Sequence, residues 1–163
     1  MNPNNAIRNI MTTNLKTVHP DTSITKIKEI FYNNSFHHLP VVTEANQLVG
    51  IISREDYFKL FTTLSQNTSG RTWTQNEIAF LKAKNIMTKY PMTLDPDDAI
   101  GLAGDIFLAN KYHALPIVED NELLGIITVH DLLAYSFGEA IERTNDEKLN
   151  ENTNLENFES MIS

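Results

Sequence analysis

Apolar residues recur along this chain with two alternating periods. Ile24, Ile27, Ile30 and Phe31 are spaced by three and four, which lays one apolar stripe along a helix. Ile100, Ala103, Ile106 and Phe107 repeat the stripe. After the first comes "HLPVV", a polar turn "TEANQ", then "LVGIIS"; after the second come "ALPIV", "EDNE" and "LLGIIT". These apolar runs are short and hydrophobic on both alternations, which predicts strands covered on both faces. A second helix is expected just after Ser53 or Thr128, with Tyr57, Phe58, Leu60 and Phe61, or Leu132, Leu133 and Tyr135, as its apolar positions. A short extended piece, "KTV" or "MTL", precedes each first helix. Between them stand Pro20-Asp21-Thr22 and Pro96-Asp97-Asp98. A proline followed by a capping side chain predicts that the helix starts there.

The order of elements is therefore the same twice. "NIMTTNLKTVHPDTSITKIKEIFYNNSFHHLPVV", from Asn9, falls on "NIMTKYPMTLDPDDAIGLAGDIFLANKYHALPIV" at a shift of 76 residues. At a shift of 75, "LVGIISREDYF" falls on "LLGIITVHDLL", and about twenty paired positions are identical overall. The repeated unit is β-α-β-β-α in about 53 residues. That is too little core to stand alone, so the expected fold is α+β, a pseudo-twofold pair packed sheet to sheet over one shared core. The expected boundaries are 1–61 for the first repeat with its lead-in, 62–84 for a linker and short helix, 85–137 for the second repeat and 138–163 for a tail. Thr74 and Glu77, at capping-box spacing, predict that short helix over 75–84, and "NPNNAIRN" is expected to play the same part for the first repeat.

Composition narrows the chemistry. Of 163 residues, 41% are hydrophobic and 21% charged, an ordinary globular balance. The absence of cysteine excludes disulfides, thiol catalysis and thiolate zinc sites, and suits a reducing cytoplasm. No secretory signal and no spanning apolar run is evident, so a cytoplasmic protein without a membrane segment is expected. A net charge of −8 disfavours nucleic acid. From Gly138 onward seven acids face Arg143 and Lys148, so this tail is expected to be mobile; the alternative is a helix laying Leu149, Leu155, Phe158 and Ile162 on a partner. His37 and His38 would point to opposite faces of a strand and so share no metal, and no metal site is expected. Trp73 and Tyr90 are expected to pack. No nucleophile with a neighbouring base, catalytic carboxylate pair or phosphate loop is present, so an enzyme is not expected.

One constellation carries chemistry. Ser53-x-x-Asp56 and Thr128-x-x-Asp131 stand at the two predicted strand-to-helix junctions. A carboxylate can accept from both hydroxyls of a ribose diol, and the neighbouring hydroxyl and helix N-terminus suit ribose or phosphate. The same spacing is also that of a capping box, in which both side chains satisfy backbone donors at the helix start. Duplication copies either arrangement equally well, so both readings stand.

The tandem "NIMT", "HHLPVV" or "HALPIV", and "GIIS" or "GIIT" followed by x-x-D, resemble a stand-alone pair of CBS domains over roughly residues 8–137. The resemblance implies a pseudo-symmetric pair that homodimerises as a flat disc and takes an adenosyl ligand between its halves. AMP, ADP, ATP or a related adenosyl compound would then be a regulatory ligand, with no obligatory cofactor. It assigns Asp56 and Asp131 to the ribose and Ser53 and Thr128 to the neighbouring hydroxyl contact. Lys16, Thr17 and Val18, with Met92, Thr93 and Leu94, would line the adenine with their backbone, against walls at Ile51 and Ile126. His37, His38, His113 and Ala114 would contact phosphate or ribose. Thr22 and Asp98 would face the ligand of the opposite half. Asp98 departs from the pattern because its charge repels phosphate, so the cleft of Thr22 and Asp131 is favoured over that of Asp98 and Asp56. Arg54 and His130 would meet phosphates or sit at solvated helix ends. The expected function is an adenosyl-ligand sensor acting on an effector protein in trans. The alternative is a dimerising adaptor with empty clefts, joined through Tyr57, Phe58, Phe61, Leu132, Leu133 and Tyr135.

Overall fold

The computed structural model describes residues 2–65, 80–109 and 112–137, with side chains from 61 to 65 left aside. The linker with Trp73, Thr74 and Glu77 and the tail after 137 lie outside the described residues. The first helix, α1, spans Ile24–Tyr32, and Ile24, Ile27, Ile30 and Phe31 are all buried. It starts later than Pro20-Asp21-Thr22 suggested. The Ser23 side chain is its N-cap, accepting from Lys26 N–H at 3.3 Å, while the Thr22 hydroxyl accepts from His19 N–H at 3.0 Å inside the preceding turn. Two antiparallel strands follow, β1 (His38–Val42) and β2 (Leu48–Ser53), then helix α2 (Arg54–Ser65). The second repeat begins with a one-turn helix, α3 (Ala83–Ile86), and a two-residue strand, β3 (Thr88–Lys89). Helix α4 (Ile100–Leu108), strands β4 (Ala114–Glu119) and β5 (Glu122–Thr128), and helix α5 (Val129–Phe137) complete it.

The hairpins repeat each other in detail. His38 lies opposite Ser53 and Ala114 opposite Thr128, and each register slips once, after Val41 and after Ile117. Asp120 and Asn121 link β4 to β5 with φ of 48° and 70°, the positive pair that a two-residue hairpin loop needs and that Asp and Asn tolerate. The extended pieces before the first helices are less than strands. Each makes one parallel bridge, Val18 to Val41 and Leu94 to Ile117. Val18 N–H reaches Pro40 O at 3.0 Å and Leu94 N–H reaches Pro116 O at 3.1 Å.

The expectation of one core shared between facing sheets is not met. Buried residues form two clusters, and each repeat's core is completed by the lead-in of the other. Ile7, in the 3-10 turn Ile7–Asn9, is fully buried among Leu94, Ile100, Leu115 and Ile127 of the second repeat. Ala83 sits among Val18, Ile24, Ile27 and Leu39 of the first. Backbone bonds follow the same exchange. Ile7 and Arg8 donate to Asp98 and Pro96 carbonyls at 2.9 and 3.0 Å, and Ala83 and Lys84 donate to Thr22 and Pro20 at 2.8 and 2.9 Å. The repeated Pro-Asp turn is therefore a docking point for the opposite lead-in rather than a helix start. Its acids pair there too, Asp97 with Arg8 at 2.6 Å and Asp21 with Lys84 and Lys82 at 2.8 and 3.0 Å. Lys84 and Lys82 hold the Asp21 carboxyl down to about 2. These acids and bases are exposed, so solvent screens their pairing and it adds little, whereas full burial of one Ile contributes about 1.5–3 kcal/mol. The exchange rests on the buried residues and backbone bonds.

The tightest contact of the exchange pairs a glycine with a methionine. A Cβ added at Gly50 on β2 would lie 2.5 Å from Sδ of Met87, and one at Gly125 on β5 would lie 2.7 Å from Sδ of Met11 and 3.0 Å from the Thr12 carbonyl oxygen. The glycine of "GII" thus makes room for the methionine of the other repeat's "NIMT". At Gly125 the obstacle includes backbone, which yields less than a thioether. Gly125→Ala is expected to destabilise the fold by about 1–3 kcal/mol as an overpacking change, and by more than Gly50→Ala, measured from urea denaturation midpoints.

Candidate functional site

At both strand-to-helix junctions the structure shows the capping arrangement. Oδ2 of Asp56 accepts from Ser53 N–H at 2.9 Å and from Ser53 Oγ at 2.7 Å, while Ser53 Oγ accepts from Asp56 N–H at 3.0 Å. Oδ2 of Asp131 accepts from Thr128 N–H at 2.7 Å and from Thr128 Oγ1 at 2.6 Å, and Asp131 N–H donates to Thr128 Oγ1 at 3.3 Å. One oxygen of each acid is thus committed to the start of its helix. The other oxygens differ. Oδ1 of Asp131 accepts from Thr12 Oγ1 at 3.4 Å. Oδ1 of Asp56 accepts no hydrogen bond within the described residues, and one carboxylate oxygen has lone pairs for two donors.

Beside the Asp56 junction lies an open cavity of about 290 Å³ lined by His37, His38, Ser53, Arg54, Glu55 and His113. His113 comes from the second repeat, so the cavity lies between the two. His37 and His38 line it together, contrary to the opposite faces expected of strand neighbours. His37 precedes β1, which begins at His38, so strand alternation does not govern it. Burial pushes the His38 imidazole down to about 4; the His37 and His113 imidazoles push the same way, against Asp56 and Glu55. Nothing in the sequence placed Glu55 here, and Thr12 was equally unmarked, because only the exchange of lead-ins brings it to Asp131. Among the described residues no group of three or more His, Cys, Asp or Glu could hold a metal ion.

The other expected contact residues are placed as follows. Val18 and Leu94 point into the cores, while Lys16 and Thr93 are exposed and Thr17 half-buried. Ile51 lies opposite Thr88, and Ile126 bridges to Thr12, so each expected base wall pairs with the "NIMT" threonine of the other repeat. Thr22 is engaged in its own turn, and Asp98 likewise accepts from Asp95 N–H at 2.8 Å. His113 is exposed and Ala114 buried, opposite Thr128. Arg54 is not a solvated helix end. Its Nη2 donates to the carbonyls of Phe31, Asn34 and Phe36 at 2.9, 2.7 and 3.2 Å, and its guanidinium lies 5.8 Å from the Phe31 ring centre, so it fastens the loop between α1 and β1. His130, in the equivalent turn of α5, is exposed. Tyr90 does not pack: it is exposed, with φ of 48°.

His38 gives a testable pH dependence. Its folded value lies below the ordinary value near 6.5, so the unfolded chain takes up a proton first as pH falls. The stability linked to His38 is therefore full above about pH 6.5 and is lost as pH falls toward about 4, by up to about 3 kcal/mol. The second repeat carries Ala114 at this place. His38→Ala is expected to reduce the loss of stability between about pH 7 and about pH 4.5, read from urea midpoints at the two values.

Comparison with known proteins accounts for the duplication. The family model described as the CBS domain matches residues 7–62 and again 83–138. An uncharacterized Methanocaldococcus jannaschii protein, MJ1225, is 30% identical over 133 residues, 81% of this chain and 47% of that protein. Its crystal structure superposes with a TM-score of 0.74 at 29% identity, over 83% of this chain and 49% of that one. CBSX2 of Arabidopsis thaliana, solved in complex with AMP, gives 0.68 at 25% identity, covering 82% of this chain and 96% of that one. The CBS-domain pair of protein MJ0100, solved with 5′-methylthioadenosine and S-adenosyl-L-methionine, gives 0.67 at 25% identity over 84% and 99%. The chain spans about half or less of the curated relatives it matches, among them a homoserine O-acetyltransferase of Methanococcoides burtonii matched over 23% of its length. Among the described residues no helix is long and apolar enough to cross a membrane.

Proposed function

The chain belongs to the CBS-domain family, as a tandem pair, and from that membership we propose that it is a regulatory module taking an adenine nucleotide between its repeats. The observations that carry this reading are a carboxylate oxygen of Asp56 without a partner among the described residues and a cavity lined by its neighbours Ser53, Arg54 and Glu55. Asp56 offers Oδ1 to the ribose diol while Oδ2 holds the helix start, and the cavity beside Ser53 has room for what the ribose carries. The two readings of Ser-x-x-Asp are thus compatible. The cleft at Asp56 is the better site, because at Asp131 the Thr12 hydroxyl, 3.4 Å from the second oxygen, would compete with a ligand for it. Asp98, whose carboxylate turns back onto Asp95, is held in its own turn. Likeness to pairs solved with AMP, or with S-adenosylmethionine and 5′-methylthioadenosine, supports an adenosyl ligand. Such a ligand acts only through unequal affinity for two arrangements of the repeats, which an effector protein would read.

The test separates binding from capping. Both Asp56→Ala and Asp131→Ala remove a cap and are expected to cost about 0.5–2 kcal/mol. AMP, ATP, S-adenosylmethionine and cyclic di-AMP are titrated against melting temperature. A ligand at about 100 times its Kd adds about 2.7 kcal/mol, a shift of several degrees. The shift is expected to survive in Asp131→Ala and to vanish in Asp56→Ala. No shift with any ligand at millimolar concentration sinks the reading.

The adaptor reading keeps support from one observation. Phe58 on α2 and Leu133 and Phe137 on α5 are 41%, 50% and 70% exposed. Other members of the expected interface face inward: Tyr57 is buried, Leu132 and Tyr135 pack on the second core, and the Phe61 side chain lies outside the described residues. We infer a homodimer through the exposed faces of α2 and α5, compatible with either function. Light scattering is expected to give twice the chain mass for the wild type and a shift toward monomer for Leu133→Glu. A monomeric wild type removes the dimer.

A further inference from the structure

The cavity between the repeats holds an imbalance of charge. Its lining has three imidazoles, His37, His38 and His113, together with Arg54, Glu55 and Ser53. The one permanent cation of that lining, Arg54, turns Nη2 to the carbonyls of Phe31 in the last turn of α1 and of Asn34 and Phe36 in the loop before β1. Two carboxylates, Glu55 and Asp56, act on the same histidine cluster from the first turn of α2. A phosphate entering here meets imidazoles and acids, beside an arginine whose Nη2 is already held by backbone carbonyls.

An imidazole can supply the missing charge by taking a proton, and an anion beside it favours that protonated form. We propose that this cavity receives the phosphate of a nucleotide together with a proton held on the histidine cluster, so that affinity for a phosphorylated ligand rises as pH falls while affinity for the unphosphorylated nucleoside does not. His38 is the principal acceptor. It is the histidine set into the hairpin, opposite Ser53, and the groups acting on it are His37 beside it, His113 from the second repeat, and Glu55 and Asp56 from α2. The second repeat has Ala114 in this place and lacks the acceptor, so the coupling belongs to the Asp56 cleft alone. Its depressed value keeps His38 neutral in the empty cavity near neutral pH, which leaves a proton to be gained on binding. The inference rests on the nucleotide reading above and adds its regulation: the module reports acidity and nucleotide together.

Calorimetric titration of the full chain with AMP and with adenosine, near pH 6 and near pH 8 in two buffers of different ionisation enthalpy, tests it. AMP is expected to bind about 3–10-fold tighter near pH 6, with net proton uptake, and adenosine equally at both. The phosphate's own protonation near pH 6 also changes with pH, so the coupling is read from the difference in AMP slope and proton uptake between the wild type and His38→Ala. In His38→Ala the excess uptake is expected to disappear, and the difference between the two proteins cancels the ligand's ionisation. The same comparison of AMP with adenosine on the wild type needs no variant. Equal AMP affinity at the two pH values, or an equal pH slope for adenosine, or an unchanged slope in His38→Ala, overturns the coupling while leaving nucleotide binding intact. Absence of binding by both ligands overturns the nucleotide reading and the coupling with it.

Discussion

A hydrophobic core of half this chain lacks one wall, and the wall comes from the other half. Ile7 fills the second repeat's core and Ala83 the first's, and Pro-Asp turns receive the backbone of each visitor. The close approach depends on glycine, since only Gly50 and Gly125 let Met87 and Met11 lie directly against the strands. Neither repeat can complete its core alone, so the pair folds as a unit and the space between the repeats becomes part of its architecture. The turns join it as well, with Asn46 donating from its side chain to Leu123 O at 3.0 Å.

That exchange also sets the difference between the two clefts. Because "NIMT" of the first repeat docks on β5, Thr12 arrives beside Asp131, its hydroxyl 3.4 Å from the second carboxylate oxygen. On the other side Thr88 and Lys89 pair with Gly50 and Ile51 as a short strand, and Asp56 keeps an oxygen without a partner among the described residues. Two copies of one motif thus have one chemistry and two availabilities. The capping role and the binding role are not rivals: a carboxylate with four lone-pair sites can hold a helix start with one oxygen and offer the other.

Several features were legible in the residues themselves. The stripes at Ile24, Ile27, Ile30 and Phe31 and at Ile100, Ala103 and Phe107 are buried as the helical period requires. The paired hairpins follow the apolar runs. Local rules misled where a longer-range partner competed. Pro20-Asp21 and Pro96-Asp97 carry the signature of a helix start, but their backbone and carboxylates are used by lead-ins far away in the chain. Of the helix expected over 75–84, residues 75–79 lie outside the described residues; residues 80–82 are not helical, and a single turn, Ala83–Ile86, follows. Arg54 looked like a terminal charge and is a loop fastener, because the carbonyls it holds belong to residues about twenty positions earlier.

The sequence by itself determined the duplication, the order of elements, the apolar faces and the paired Ser/Thr-x-x-Asp junctions, because these depend on period, spacing and short-range capping. The tertiary structure alone decided which repeat each lead-in completes, which carboxylate keeps an oxygen without a partner among the described residues and that His37, His38 and His113 share a cavity. Those outcomes depend on which distant segments come within hydrogen-bonding or van der Waals reach, and reach across the chain is not encoded in any local period.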